Sequence, residues 1–315
     1  MNTDLQIDSS GQLRHLITLD GLGRDRITAL LDRAVALRDA FANGAQGPRL
    51  LAGRTIINLF FETSTRTRTS FELAARRLGA DVVNFDIANS STSKGESLED
   101  TLATLEAMQA DAFIVRHKEN GTPARLAATA RGAAILNAGD GNHAHPTQGL
   151  LDALTIRDHY PDFSGLKVTI CGDIRHSRVA RSDLHVLRAL GVADIRLCGP
   201  ASLMPASDEF PQCRAFDNLD DAIAGANVVI MLRLQRERML EALVGDETAY
   251  FARFGLTRQR LQRAMTGALV MHPGPMNRGV EIAGDVADGP QSVILDQVAN
   301  GIPMRMAVLA ELLQH

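Results

Sequence analysis

The stretch Arg54-Thr55-Ile56-Ile57-Asn58-Leu59-Phe60, followed by Phe61-Glu62-Thr63-Ser64-Thr65-Arg66-Thr67-Arg68-Thr69-Ser70-Phe71-Glu72, decides how this chain is read. Its first seven residues form an apolar, β-branched run after Gly53, the pattern of a strand buried on both faces. Beyond it Phe71, Ala74, Ala75 and Leu78 recur at helical spacing, and Gly79 stops the repeat. The hydroxyl-rich segment is therefore a strand-to-helix turn. Such a turn leaves backbone N–H groups unpaired and carries partial positive charge. Arg66 and Arg68 are disfavoured there unless an anion sits among them. The five hydroxyls and two guanidiniums between Ser64 and Ser70 suit a phosphate or carboxylate. The alternative is local: Ser64 or Thr65 as a helix cap, with Arg68 paired to Glu62 or Glu72.

Outward from this turn, strands alternate with helices. A helix within 17–43 turns Leu30, Leu31, Ala34 and Leu37 to one face, and a strand follows at 81–85. A polar loop at 89–97, containing Ser90 and Lys94, leads to a helix through Leu98, Leu102, Leu105 and Met108. Strand-like runs recur at 112–116 and 133–137, separated by a helical 123–131. After Asn142-His143-Ala144-His145-Pro146-Thr147-Gln148 a second series has strands at 166–171, 195–198, 228–232 and 268–271, with a helix at 150–159 crossing between the halves. The alternation predicts an α/β fold: two similar domains, each a mainly parallel sheet of four strands flanked by helices. The first is expected over 1–146 and the second over 147–300, with the active site in the cleft between them.

Composition narrows the function classes. The chain has 315 residues, enough for two domains with proper cores, and 45% hydrophobic with 22% charged residues is an ordinary globular balance. A net charge of −4 without a basic tail gives no footprint for nucleic acid. No apolar run reaches membrane-spanning length, and the polar residues 1–12 predict no signal peptide, so a cytoplasmic protein is expected. Cys171, Cys198 and Cys213 lack metal spacing and read as buried thiols of a reducing compartment.

In parallel sheets ligands bind beyond the carboxyl ends of the strands, so polar residues there carry functional weight. Arg116 and His117 close the third strand, and His145, Thr147 and Gln148 follow the fourth. A guanidinium, an imidazole and a hydroxyl converging on one carbonyl oxygen would stabilise charge developing there. His143 and His145 raise a zinc site as a rival, but no companion ligand motif stands near them. Gly172-Asp173-Ile174-Arg175-His176-Ser177-Arg178 follows a strand yet lacks G-x-G-x-x-G, and no P-loop motif occurs. Arg178 and Arg233-Leu234-Gln235 suit a dicarboxylate, because each planar fork holds one carboxylate. Arg236, Glu237 and Arg238 read as a solvated stretch with local ion pairs. His272-Pro273-Gly274-Pro275 is a rigid turn, with a Gly-Pro bond able to be cis, that would aim carbonyls at a substrate amine.

Taken in order, Ser64 to Arg68, Lys94-Gly95-Glu96, Arg116-His117, His145 to Gln148, Gly172-Asp173 with Arg178, Arg233-x-Gln235 and His272-Pro273-Gly274-Pro275 resemble the aspartate and ornithine carbamoyltransferases over nearly the whole chain. The aspartate branch fits better. The ornithine enzymes have a His-Cys-Leu-Pro segment with a thiol that is missing here, and Arg-x-Gln with a further Arg suits a second carboxylate. Gly274 departs from the Leu of the better-known bacterial aspartate enzymes. The resemblance implies direct transfer of a carbamoyl group from carbamoyl phosphate to aspartate, an early step of pyrimidine synthesis, without cofactor or covalent enzyme intermediate; no metal site is expected either, since ligand spacing is missing.

It implies that Ser64, Thr65, Arg66 and Thr67 hold the phosphate and that Arg116 bridges phosphate and carbonyl. Thr67, Arg116 and His145 would polarise the carbonyl oxygen, and Gln148 would hold the carbamoyl nitrogen. Aspartate would go to Arg178, Arg233 and Gln235, with Pro273 and Gly274 beside its amine. Ser90 and Lys94 would reach a neighbouring chain's site, which makes a homotrimer part of catalysis. Residues 301–315 would form a helix packing back on the first domain. Regulatory or dihydroorotase-like partner chains are compatible with this reading. A non-catalytic scaffold of the same fold predicts losses in the polar cluster, yet Arg66, Thr67, Arg116, His145 and Gln148 are all present.

Overall fold

A computed structural model describes residues 5–42, 45–85, 95–234 and 247–314 of the chain. The molecule forms two compact units, Met1–Leu151 with Ala299–His315, and Asp152–Val298. In the first, β1 (Thr55–Phe60), β2 (Asp81–Asn84), β3 (Ala112–His117) and β4 (Ala134–Asp140) make a parallel sheet of order β2-β1-β3-β4. The continuous apolar runs become the buried strands: β3 and β4 are buried at every residue, whereas the short β2 lies at the edge with Val83 exposed.

Helices α1 (Arg24–Ala40), α2 (Thr65–Arg77), α3 (Leu98–Ala107) and α4 (Thr122–Thr129) supply the remaining layers. The α1 positions Leu30, Leu31, Ala34 and Leu37 are buried as their spacing predicts. One core joins Leu102 and Leu105 of α3 and Leu126 of α4 to Phe113, Val115 and Ile135 of the sheet. α2 is held from behind: Phe71 is fully buried, and the Arg305 guanidinium lies 4.8 Å from its ring centroid.

The second unit has β5 (Lys167–Cys171), β6 (Asp194–Cys198), β7 (Arg214–Phe216), β8 (Val228–Met231) and β9 (Leu269–Met271), again all parallel, in the order β7-β6-β5-β8-β9. Five strands replace the expected four. The additional β7 is three residues long at the sheet edge and largely exposed, too short for any apolar period to betray it. The core gathers Val229, Met231, Tyr250, Phe254, Val270 and Ile282 around this sheet.

Two further helices begin earlier than the sequence suggests. α5 runs Pro146–His159, opening on Pro146, whose missing N–H is harmless in a first turn. The last helix, Ile294–Leu313, contains Gly301 and Pro303 in its interior. Tertiary packing overrides the breaking tendency of both residues, since Ala299–His315 belongs to the first unit. Cys171 and Cys198 are buried neighbours in register on β5 and β6, while Cys213 is only half-buried and accepts from Arg188 Nη2 at 3.2 Å. No helix among the described residues is long and apolar enough to cross a membrane.

Each sheet changes direction of winding once, between β1 and β3 in the first and between β5 and β8 in the second. The carboxyl ends of these strand pairs are the places where such sheets receive ligands.

Candidate active site

At the first winding point the turn after β1 meets the end of β3. Phe60 and Arg116 are register partners, Phe61 N donates to Arg116 O at 2.8 Å, and Arg116 Nη2 donates to Glu62 Oε1 at 2.8 Å. Arg116 Nη1 reaches the Ala138 carbonyl of β4 at 3.2 Å. One buried guanidinium therefore ties three strand ends together. Of the local alternative, Ser64 does stand at the N-cap position, but Glu62 pairs with Arg116 and Glu72 with Arg76 at 3.0 Å.

Helix α2 starts at Thr65 with Ser64 as its N-cap, but the Ser64 side chain makes no capping bond. Its hydroxyl donates to Thr67 Oγ1 at 2.9 Å, and the first turn holds no acidic residue. The first N–H groups of this helix thus have no side-chain cap, with Thr65 and Arg66 exposed beside them and Thr67 buried. His117 does not join them. Its Nδ1 accepts from Glu119 N at 3.0 Å, its ring stacks edge-on with Phe61, and burial lowers its pKa, so it is a neutral post for the turn after β3.

The end of β4 is organised by Asp140, which sequence reasoning missed. It is fully buried and accepts from Asn137 Nδ2 at 2.8 Å, Gly121 N at 2.7 Å and Ala144 N at 3.1 Å. His143 Nδ1 sits 3.0 Å from it. Burial pushes the carboxyl up, but His143 and these N–H donors outweigh burial and hold it below the usual carboxylate range. His143 thus serves a turn, and no group of three metal-ligating side chains exists among the described residues. The Asp140-Gly141-Asn142 turn signature was the available signal. The turn delivers His145, Thr147 and Gln148, all buried, to the start of α5, with Gln148 N donating to His145 O at 2.9 Å.

The second unit repeats the layout with other chemistry. Gly172 follows β5 at φ 134°, and a Cβ there would lie 3.0 Å from both the Leu232 carbonyl oxygen and its Cβ, so only glycine lets the ends of β5 and β8 approach this closely. Asp173 then holds His176 through Nδ1 at 2.8 Å, and Ser177 caps α6 (Arg178–Leu190) by accepting from Ala180 N at 3.1 Å. Arg178 is the first residue of α6 and is half-buried; Arg233 follows β8 and is exposed. After β9 comes His272, then Pro273 and Gly274, with Gly274 at φ 65° and a cis Gly274-Pro275 bond. A leucine in that left-handed conformation would be strained, so this backbone suits the glycine found here. Ser90, Lys94 and Gln235, with Arg236, Glu237 and Arg238, lie outside the described residues. A cavity of about 640 Å³ lined by Arg14, Arg54, Glu106 and Asp111 sits at the amino ends of the first sheet's strands, away from all these groups.

Comparison with known proteins agrees with this layout. Residues 14–158 match the carbamoyl-P binding domain, and residues 164–312 the Asp/Orn binding domain, of the aspartate/ornithine carbamoyltransferases. Over 314 residues the chain is 59% identical to the aspartate carbamoyltransferase catalytic subunit of Xanthomonas campestris pv. campestris (strain B100), covering 99% of each. It is 57% identical, with the same coverage, to that of Stenotrophomonas maltophilia (strain K279a). Among solved structures it is similar to aspartate transcarbamoylase from Trypanosoma cruzi in complex with carbamoyl phosphate and aspartate, with TM-score 0.87, 31% identity and 98% of each chain covered. The ornithine carbamoyltransferase from Pyrococcus furiosus gives TM-score 0.86 at 27% identity, covering 95% of this chain and 97% of that one.

Proposed function

This chain belongs to the aspartate/ornithine carbamoyltransferase family, and on that premise we propose how its residues divide the work of moving a carbamoyl group from carbamoyl phosphate to L-aspartate. Ser64, Thr65, Arg66 and Thr67 hold the phosphate at the uncapped start of α2. Arg116 bridges phosphate and carbonyl, and Thr67, Arg116 and His145 draw charge onto the carbonyl oxygen while Gln148 holds the carbamoyl nitrogen. Arg178, Arg233 and Gln235 take the carboxylates of aspartate, with Pro273 and Gly274 beside its amine.

The neutral amine attacks the carbonyl carbon and forms the new C–N bond. The carbonyl oxygen then carries negative charge, which the donors above stabilise. Collapse re-forms the carbonyl and breaks the C–O bond to phosphate, which leaves with that electron pair. The amine's surplus proton passes to the departing phosphate, still clamped by Arg66. Holding both reactants in place itself lowers the barrier by several kcal/mol, on the order of the gain from proximity in intramolecular reactions. The product is N-carbamoyl-L-aspartate, and the reading places the enzyme in the cytoplasm at an early step of pyrimidine synthesis.

The observation that carries this reading is Arg116, fixed between Glu62 and Ala138 O beside a helix end that lacks a cap and an acid. Steady-state assay of the purified chain with carbamoyl phosphate and either aspartate or ornithine tests it, and use of ornithine alone overturns the choice of amine. Ser90 and Lys94 are proposed to complete a neighbouring chain's site in a homotrimer. Sedimentation of the purified protein at a monomer's mass with full activity would refute that sharing. The same measurement in cell extract reports whether regulatory or dihydroorotase-like chains join the assembly.

A further inference from the structure

We infer that a buried polar chain through Asp183, Asp152, Gln297, His272, Glu281 and Asn277 sets the relative positions of the groups assigned above to aspartate, which makes Gln297 and Asn277 positioning residues for the amino-acid substrate. The inference rests on that assignment of Arg178, Arg233, Pro273 and Gly274.

The direction of every bond from Asp152 to the Leu234 carbonyl is determined. The His272 backbone N–H can only donate, and it donates to Gln297 Oε1 at 2.9 Å. Gln297 must therefore present its amide nitrogen to Asp152 Oδ1, at 2.6 Å. The carboxyl of Asp183 is fully buried and finds no N–H donor of its own among the described residues, and burial, then the charge of Asp152 and a hydrogen bond with it, push its pKa well up. In the other direction Gly274 N donates to His272 Nδ1 at 2.7 Å, so the ring proton is on Nε2 and points at Glu281 Oε1, 3.1 Å away. The same Glu281 oxygen accepts from Asn277 N, and Asn277 Nδ2 donates to the Leu234 carbonyl at 3.0 Å.

Each branch of this chain ends beside a proposed aspartate group. Asp183 lies on α6, five residues after Arg178; His272 immediately precedes Pro273 and Gly274; Leu234 immediately follows Arg233. Asp152, Asp183, Gln297, His272 and Glu281 are all buried. Burying this many polar groups gains little stability over an apolar core of the same shape, so the return on such a chain is a defined geometry.

The test is steady-state kinetics of the full-length enzyme with Gln297→Met and Asn277→Ala, the second of which removes a half-buried side chain and leaves the core intact. Each is expected to raise KM for aspartate by roughly tenfold while KM for carbamoyl phosphate stays within about twofold. Asp183→Asn, which keeps a neutral donor facing Asp152, is expected to retain the parent's KM for aspartate, whereas Asp183→Ala is expected to raise it. Arg178→Ala is run beside them. If it raises KM for aspartate while Gln297→Met and Asn277→Ala leave it unchanged, the positioning role is wrong and the substrate assignment survives. If Arg178→Ala has no effect, the assignment itself fails. Equal losses of affinity for both substrates in Asn277→Ala also overturn the inference, because they indicate general loosening.

Discussion

The turn after β1 and the turn after β5 hold the same topological place, each following the first strand of its sheet at the winding point and leading into a helix. Their helix ends differ. Ser177 caps α6 by accepting from Ala180 N, whereas Ser64 gives its hydroxyl to Thr67 and leaves the start of α2 uncapped. An uncapped helix end offers several N–H groups and a dipole to one compact, multiply charged oxyanion. The cap on α6 takes up one of those N–H groups, and there the proposed anion-binding group is a side chain, the guanidinium of Arg178. On the proposed assignment, one fold position would serve a phosphate through the backbone and a carboxylate through a side chain.

The most severe way to break this contrast is to remove the guanidiniums of the first unit. Arg66→Ala and Arg116→Ala are each expected to lower kcat/KM by about 10²- to 10³-fold, as loss of a donor to developing charge does. The two are told apart by stability. Arg66 is exposed and its loss is expected to cost the less stability, while Arg116 joins Glu62 to Ala138 O and its loss is expected to cost about 1.5–3 kcal/mol of unfolding free energy by urea titration. Activity of Arg66→Ala near the parent's value would contradict the phosphate assignment.

The candidate site of the first unit could be proposed from sequence because its residues are local. Ser64 to Ser70 is one segment, and the apolar run before it announces a buried strand. Arg116 was legible as a polar residue at a strand end. Its partner was not, because Glu62 is equally placed in sequence to pair with Arg68, and only the parallel register of β1 with β3 decides between them. The second unit was less readable. Asp152, Asp183 and Gln297 are spread over three helices and look like ordinary surface polar residues until burial brings them together. β7 and the first turns of the C-terminal helix escaped for the related reason that length and packing, which one-dimensional pattern does not carry, outweigh local propensity.

The two units are also expected to weaken at opposite ends of the pH scale. His15, in the first, is 1% exposed and accepts from Ile135 N at 2.9 Å; burial, then the nearby Arg14, lowers its pKa from 6.5 to about 4. Between those values the unfolded chain binds a proton that the folded chain refuses, so stability is present above pH 6.5 and falls as pH drops towards 4. His15→Gln, which can still accept from Ile135 N, is expected to remove a fall of about 3 kcal/mol across that window. Asp183, in the second, has the opposite sign. Burial and Asp152 raise its pKa, so the folded chain holds a proton that the unfolded chain releases above about pH 4, and stability falls as pH rises. Asp183→Asn is expected to gain stability over the parent at pH 8, with the gain shrinking towards pH 4. Parallel pH profiles for parent and Asp183→Asn would show that the carboxyl is not buried with its proton.

The smallest expected effect is the sharpest test of the opening contrast, because it pits two serines in equivalent places against each other. Ser177→Ala removes a cap and is expected to cost about 1 kcal/mol of stability with KM for carbamoyl phosphate unchanged. Ser64→Ala removes no capping bond, only the hydroxyl bond to Thr67, so its stability cost is expected to be smaller than that of Ser177→Ala, about 0.5 kcal/mol. Its cost appears in binding instead: KM for carbamoyl phosphate rises, and the affinity for inorganic phosphate as a competitive inhibitor falls with it. Urea unfolding and inhibition by phosphate, measured on both variants, read the two effects separately. If Ser64→Ala loses stability and keeps its phosphate affinity, its hydroxyl is a cap after all, and the start of α2 is no more an anion site than the start of α6.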